Sequence, residues 1–99
     1  MSSNDSLARL AVIIESRKRV NGGNPDASYV TRLLERGPDA FLKKIGEEAT
    51  EVVIAALSET RERLISEIAD LVFHVSVLMA DEGIEWAEVE GELERRASR

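Results

Sequence analysis

The chain has 99 residues, 43% hydrophobic and 32% charged, with a formal net charge of −6 and no cysteine. That length fits one small domain whose limited core favours a homodimer or larger homo-oligomer. The acidity argues against nucleic acid as the main partner, and the missing cysteine excludes disulfides and thiolate metal sites.

The opening MSSNDSLARL has neither a basic n-region nor a long apolar run, and no later segment could span a bilayer. The expectation is a soluble cytoplasmic protein with no membrane partner. Leu7, Leu10, Ala11 and Ile14 recur at helical spacing and predict an amphipathic helix from residue 6 to about 18. Asn21-Gly22-Gly23-Asn24-Pro25-Asp26 reads as a loop, because the glycines free the backbone and Pro25 stops a helix. Ser28 can cap a short second helix through Leu34, with Gly37 at its C′ position and Pro38 and Asp39 opening the next. The third helix, about 39 to 57, carries Ile45, Ala49, Val52 and Ala56 as its apolar stripe. Only the β-branched run Val52-Val53-Ile54 competes for a strand, and its Ala-, Glu- and Lys-rich flanks decide for helix. Helix four, about 61 to 82, is expected to bury Leu64, Ile68, Leu71, Val75 and Leu78 and to end at Gly83. Trp86, Val89 and Leu93 mark a last short helix. The fold class is therefore all-α, a bundle of about five helices around a central antiparallel hairpin.

Four carboxylates stand out, in the pairs Glu48-x-x-Glu51 and Glu67-x-x-Asp70. The i, i+3 spacing puts each pair on one helical face. The pairs are mirror-related about residue 59, so a hairpin turning at Ser58-Glu59-Thr60 brings all four to one level. Carboxylates gathered in that way resist ionisation unless a cation sits between them. A hard divalent ion with oxygen ligands answers that need, and Mg²⁺ (or Mn²⁺) is usual where phosphates are the substrate. The bland alternative is a solvated acidic face with ordinary ion pairs.

Neighbouring residues qualify the picture. Glu47 points about 100° away from Glu48, as an outer ligand or a solvent-facing residue. His74 lies one turn beyond Asp70, where it could ligate a metal, position a water or hold a phosphate, or be a hydrogen-bonded histidine at the core's edge; a supporting role behind the site is the preferred reading. Lys44 shares the face of Glu48 and could meet a phosphate, or merely pair with that glutamate. Arg32 and Arg36 could reach an anion from the preceding helix. Gly46 inside a good helix points to a close approach by another helix or a ligand, or to simple tolerance. No phosphate-binding Gly-x-x-x-x-Gly-Lys loop is present.

SYVTRLLERGPDAFLKKIGEEATEVVIAA, beginning at Ser28, and SEIADLVFHVSVLMADEGI at 66–84 closely resemble the phosphoribosyl-ATP pyrophosphohydrolase (phosphoribosyl-ATP diphosphatase) family. This family sits in the all-α nucleotide pyrophosphohydrolase (MazG-like) superfamily, whose signature is E-x-x-E followed by E-x-x-D. The resemblance spans roughly residues 5 to 95 of a single domain, 1–99. It implies Mg²⁺-dependent hydrolysis of 1-(5-phosphoribosyl)-ATP to phosphoribosyl-AMP and pyrophosphate, a step of histidine biosynthesis. By resemblance Glu48, Glu51, Glu67 and Asp70 are the metal-binding acids, and Lys43, Lys44 and His74 occupy motif positions. Glu47 completes the doubled glutamate, with Glu47 or Glu51 as the proton acceptor. The last helix departs from the relatives, opening Ile84-Glu85-Trp86 where a Ser or Thr cap is common. Other readings are a MazG-like or dUTPase-like enzyme acting on another nucleotide, and a non-catalytic helical interaction module.

Overall fold

In the computed structural model, residues 5–98 are described, and every long element among them is an α-helix. The first four residues of the opening segment read above, and Arg99, lie outside that range. The helices are α1 (Ser6–Ser16), α2 (Tyr29–Arg36), α3 (Pro38–Ser58), α4 (Arg61–Glu82) and α5 (Trp86–Ala97), with a short 3-10 turn at Arg19–Asn21. No described helix is long and apolar enough to cross a membrane.

The first helix stops at Ser16, two residues short of the expectation, because the chain turns there to make long-range bonds. Lys18 takes an extended backbone, and its Nζ donates to the Ala80 carbonyl at 3.0 Å. A cation there satisfies an acceptor in the last turn of α4, where the helix dipole favours positive charge. Thr31, fully buried, donates its hydroxyl to the Arg17 carbonyl at 2.6 Å. Gly23 fits against the same carbonyl so closely that a Cβ would lie 1.9 Å from its oxygen.

Local signals then set the remaining joints. The Ser28 hydroxyl accepts from the Thr31 amide at 3.1 Å and opens α2. Gly37 alone separates α2 from α3, at φ 89°, a conformation that a side chain would strain. Between α3 and α4 stand only Glu59 and Thr60, and the Thr60 hydroxyl accepts from the Arg63 amide at 3.2 Å. The expected hairpin therefore forms, and α3–α4 is the most extensive helix pairing. α5 is capped without Ser or Thr, as the Glu88 carboxylate accepts from the Glu85 amide at 2.9 Å.

The core does not follow the expected stripes. Ile14, Val30, Leu33, Phe41 and Val77 form the buried cluster, with Phe73 and Leu78 packed against it. On α4 the deepest positions are Glu67, His74, Ser76, Val77 and Met79, whereas Leu64, Leu71, Val75 and Leu78 are half-buried and Ile68 is 44% exposed. On α3 the buried positions are Phe41 and Ala55, Ile45 and Val52 are half-buried, and Ala49 and Ala56 are exposed. Both helices are rotated so that Glu48 and Glu67 enter the seam rather than border it. The physical reason is breadth. α3 and α4 are apolar over more than one face, and α1 and α2 are too short to cover them all. Val53, Ile54, Leu57, Ile65 and Ile68 remain exposed, Leu57 by 81%. At Gly46 a Cβ would meet nothing within 4 Å, so among the described residues no other helix approaches it closely.

Phe41 is completely buried in the cluster. Phe41→Ala should lower the unfolding free energy by about 3–5 kcal/mol, and half-buried Leu78→Ala by less. A urea midpoint for Phe41→Ala near that of the unsubstituted chain would contradict this placement of the core.

Candidate metal centre

α3 and α4 run antiparallel from their tight turn, and three of the four singled-out acids meet across the seam. Glu48 from α3 and Glu67 and Asp70 from α4 each place a carboxylate oxygen within 4.8 Å of the others. The Glu67 side chain is 7% exposed and that of Glu48 12%, while Asp70 is exposed and opens the cluster to solvent. Glu51 stays outside this triad, on the exposed edge of α3. Residues three apart on a helix differ by about 60° in direction, so the second acid of the α3 pair swings outward as the first turns in.

The electrostatics follow from this crowding. Burial, and then the charges of Glu48, Glu51 and Asp70, raise the Glu67 pKa above the ordinary glutamate value, with Arg63 opposing. Arg63 Nη2 lies 2.5 Å from Glu67 Oε2, and its Nε donates to Glu59 at 3.1 Å. On the other flank Lys44 Nζ sits 3.7 Å from Glu48 and 3.6 Å from Glu47. Burial works against the Lys44 ammonium, but Tyr29, Glu48 and Glu47 outweigh it and hold its pKa above the ordinary lysine value. Three converging carboxylates with no nitrogen or sulfur donor among them suit a hard divalent cation.

His74 does not join the triad. It is buried, and its Nδ1 lies 2.8 Å from the Asp70 carbonyl. A carbonyl only accepts, so Nδ1 carries the proton. In the neutral ring Nε2 is then the acceptor, and the Tyr29 hydroxyl donates to it at 3.0 Å. The ring packs edge-on against Phe73, with centroids 5.0 Å apart. His74 thus ties the turn that carries Asp70 to Tyr29 of α2.

Lys43, Lys44 and Glu47 share a shallow cavity of about 240 Å³ with Tyr29 and Arg36. Arg32 points elsewhere, donating to the Pro25 carbonyl at 2.7 Å. A larger apolar cavity, about 830 Å³, lies between α1, the end of α4 and the start of α5 and is lined by none of the triad. Sequence reasoning missed Arg63 and Tyr29. Arg63 stood at i, i+4 from Glu67, a spacing that could have revealed it. Tyr29 had no such signal, because its partner is 45 residues away.

With its pKa raised, Glu67 binds a proton more readily in the folded metal-free chain than in the unfolded one. Its contribution to stability is thus largest below the ordinary glutamate range and declines as pH rises through the raised value. In metal-free protein, the melting-temperature difference between Glu67→Gln and the unsubstituted chain should move in favour of the variant from about pH 4 to about pH 7. A difference independent of pH would contradict the assigned cause.

Comparison with known proteins shows the family. A model of the phosphoribosyl-ATP pyrophosphohydrolase family matches residues 7–97. A phosphoribosyl-ATP pyrophosphatase of Polaromonas sp. (strain JS666 / ATCC BAA-500) is 61% identical, over 97% of this chain and 82% of its own length. Proteins of the same name from Acidovorax sp. (strain JS42) and Variovorax paradoxus (strain S110) are 58% and 56% identical, over 95% and 97% of this chain and 74% and 79% of theirs. The chain belongs to the phosphoribosyl-ATP pyrophosphohydrolase family, a family of hydrolases.

Proposed function

We propose that the chain hydrolyses 1-(5-phosphoribosyl)-ATP to 1-(5-phosphoribosyl)-AMP and pyrophosphate, as a Mg²⁺-dependent step of histidine biosynthesis. The observation that carries this reading is the meeting of Glu48, Glu67 and Asp70 within 4.8 Å, in a chain that matches this family over nearly its whole length. Those three residues would hold Mg²⁺ (Mn²⁺ being an alternative), and Glu51 stands at the edge to complete the set. The chemistry that Mg²⁺ supplies when bound is polarisation of phosphoryl oxygens and neutralisation of charge on the leaving pyrophosphate.

The protein's own groups do the rest. Lys44, between the acids and the shallow basic cavity, binds a substrate phosphate, with Lys43 beside it. Without them an acidic chain would repel a polyanion. Glu51, exposed on α3, is one candidate to accept the proton of the attacking water. Glu47, 3.6 Å from Lys44, is the other candidate base. His74 keeps the Asp70 turn in place through its carbonyl. The exposed row of Val53, Ile54, Leu57, Ile65 and Ile68 on the hairpin supports a homodimer or larger homo-oligomer, in which a second copy covers it.

Pyrophosphate release from phosphoribosyl-ATP, measured with Mg²⁺ and with a chelator, tests this. Turnover should need the metal, and Asp70→Ala should lower kcat at least about 100-fold, some 2.7 kcal/mol of barrier, while leaving the helical circular dichroism intact. Metal-independent turnover, or an Asp70→Ala variant with full activity, would sink the reading.

A further inference from the structure

Arg63 sits in the first turn of α4, where the unpaired amides of the helix end disfavour a cation. Its backbone amide donates to the Thr60 hydroxyl at 3.2 Å, so the hairpin turn fixes where its side chain starts. From there the guanidinium spans two carboxylates. Nε donates to Glu59 at 3.1 Å, and Nη2 donates to Glu67 Oε2 at 2.5 Å. An arginine four residues before a glutamate is the weaker order for an ion pair along a helix. Helix stability alone therefore does not account for this residue.

What distinguishes the pair is where its acid lies. The Arg63 side chain is 56% exposed and that of Glu67 only 7%, so a solvated cation reaches an enclosed anion. Lys44 comes no nearer than 3.7 Å to Glu48, which makes Arg63 the tighter of the two flanking cations. Without that counter-charge, Glu67 would face the carboxylates of Glu48 and Asp70 alone. Yet the guanidinium is bonded to a carboxylate that a divalent ion at the triad would also use. The two roles conflict. A positive charge on Glu67 stabilises the metal-free hairpin and repels an arriving dication.

We infer that Arg63 tunes the metal site: its guanidinium, held between Glu59 and Glu67, supplies part of the missing positive charge in the metal-free fold and thereby weakens Mg²⁺ binding. The inference rests on the metal role proposed above for Glu48, Glu67 and Asp70. Arg63 acts only through Glu67; it is a positioning residue and touches neither substrate nor reacting atoms.

Opposite effects on two quantities separate this from a merely structural role. Mg²⁺ alone is the calorimetric probe, and Tm is read with and without it, for the unsubstituted chain, Arg63→Met and Arg63→Lys. Arg63→Met should melt at a lower temperature without metal, yet bind Mg²⁺ about 3- to 10-fold more tightly, the scale of a screened repulsion between a monovalent and a divalent charge. Its deficit in Tm should therefore narrow as Mg²⁺ is added. Arg63→Lys keeps the charge and should hold Mg²⁺ affinity near that of the unsubstituted chain. If Arg63→Met fails to fold, Arg63→Gln, which keeps a donor for Glu67, should show the same two directions more weakly. Mg²⁺ binding that is unchanged or weaker without the arginine, a metal-free Tm that does not fall, or equal tightening in Arg63→Lys would each overturn the inference. If the unsubstituted chain cleaves phosphoribosyl-ATP with Mg²⁺ while these results go against Arg63, the inference alone falls. A chain that shows the predicted shifts but does not cleave phosphoribosyl-ATP loses the proposed function alone, and one that binds no Mg²⁺ loses both.

Discussion

Mutual repulsion among carboxylates packed into a helical seam is the constraint on which this structure turns. Glu48 crosses from α3 to meet Glu67 and Asp70 on α4, and two of the three side chains are almost enclosed. A hairpin built for stability alone would fill those positions with leucine. Burying acids there costs solvation, as the raised Glu67 pKa records. Arg63 and Lys44 offset part of that charge from the flanks, and the remaining cluster suits a divalent ion. Local rules are broken at this seam, and the rest of the fold compensates.

That compensation is concentrated at one end. Ile14, Val30, Leu33, Phe41 and Val77 weld α1 and α2 to the start of α3 and the end of α4. Lys18 on the Ala80 carbonyl, Thr31 on the Arg17 carbonyl and the single-residue joint at Gly37 hold those pieces in register. The acids stand just beyond this packed end, where rigid helices can aim them. Past them the hairpin tip leaves Val53, Leu57 and Ile65 exposed, and α5 buries none of its residues. The molecule is thus braced at the core side of the site and leaves apolar surface exposed on the other.

Much of this was legible in the sequence, for identifiable reasons. Turn chemistry at Ser28, Gly37, Thr60 and Gly83 marked the helix boundaries, and the α4 limits came out as expected. Mirror symmetry about residue 59 placed three of the four acids together. Periodicity misjudged the buried stripes because α3 and α4 are apolar on several faces, and which face goes inward depends on what the rest of the chain can cover. Glu51 fell outside the triad for the same rotational reason. Tyr29 was invisible because its hydrogen bond to His74 joins segments that no local pattern connects. The basic hollow likewise exists only once α2 and α3 meet at Gly37.

Thermal unfolding of metal-free protein against added Mg²⁺ interrogates the seam most directly. If a divalent ion relieves the repulsion between Glu48, Glu67 and Asp70, Tm should climb steadily with the logarithm of Mg²⁺ concentration, and Glu48→Gln should flatten that climb. A melting temperature indifferent to both Mg²⁺ and Mn²⁺ would contradict the account.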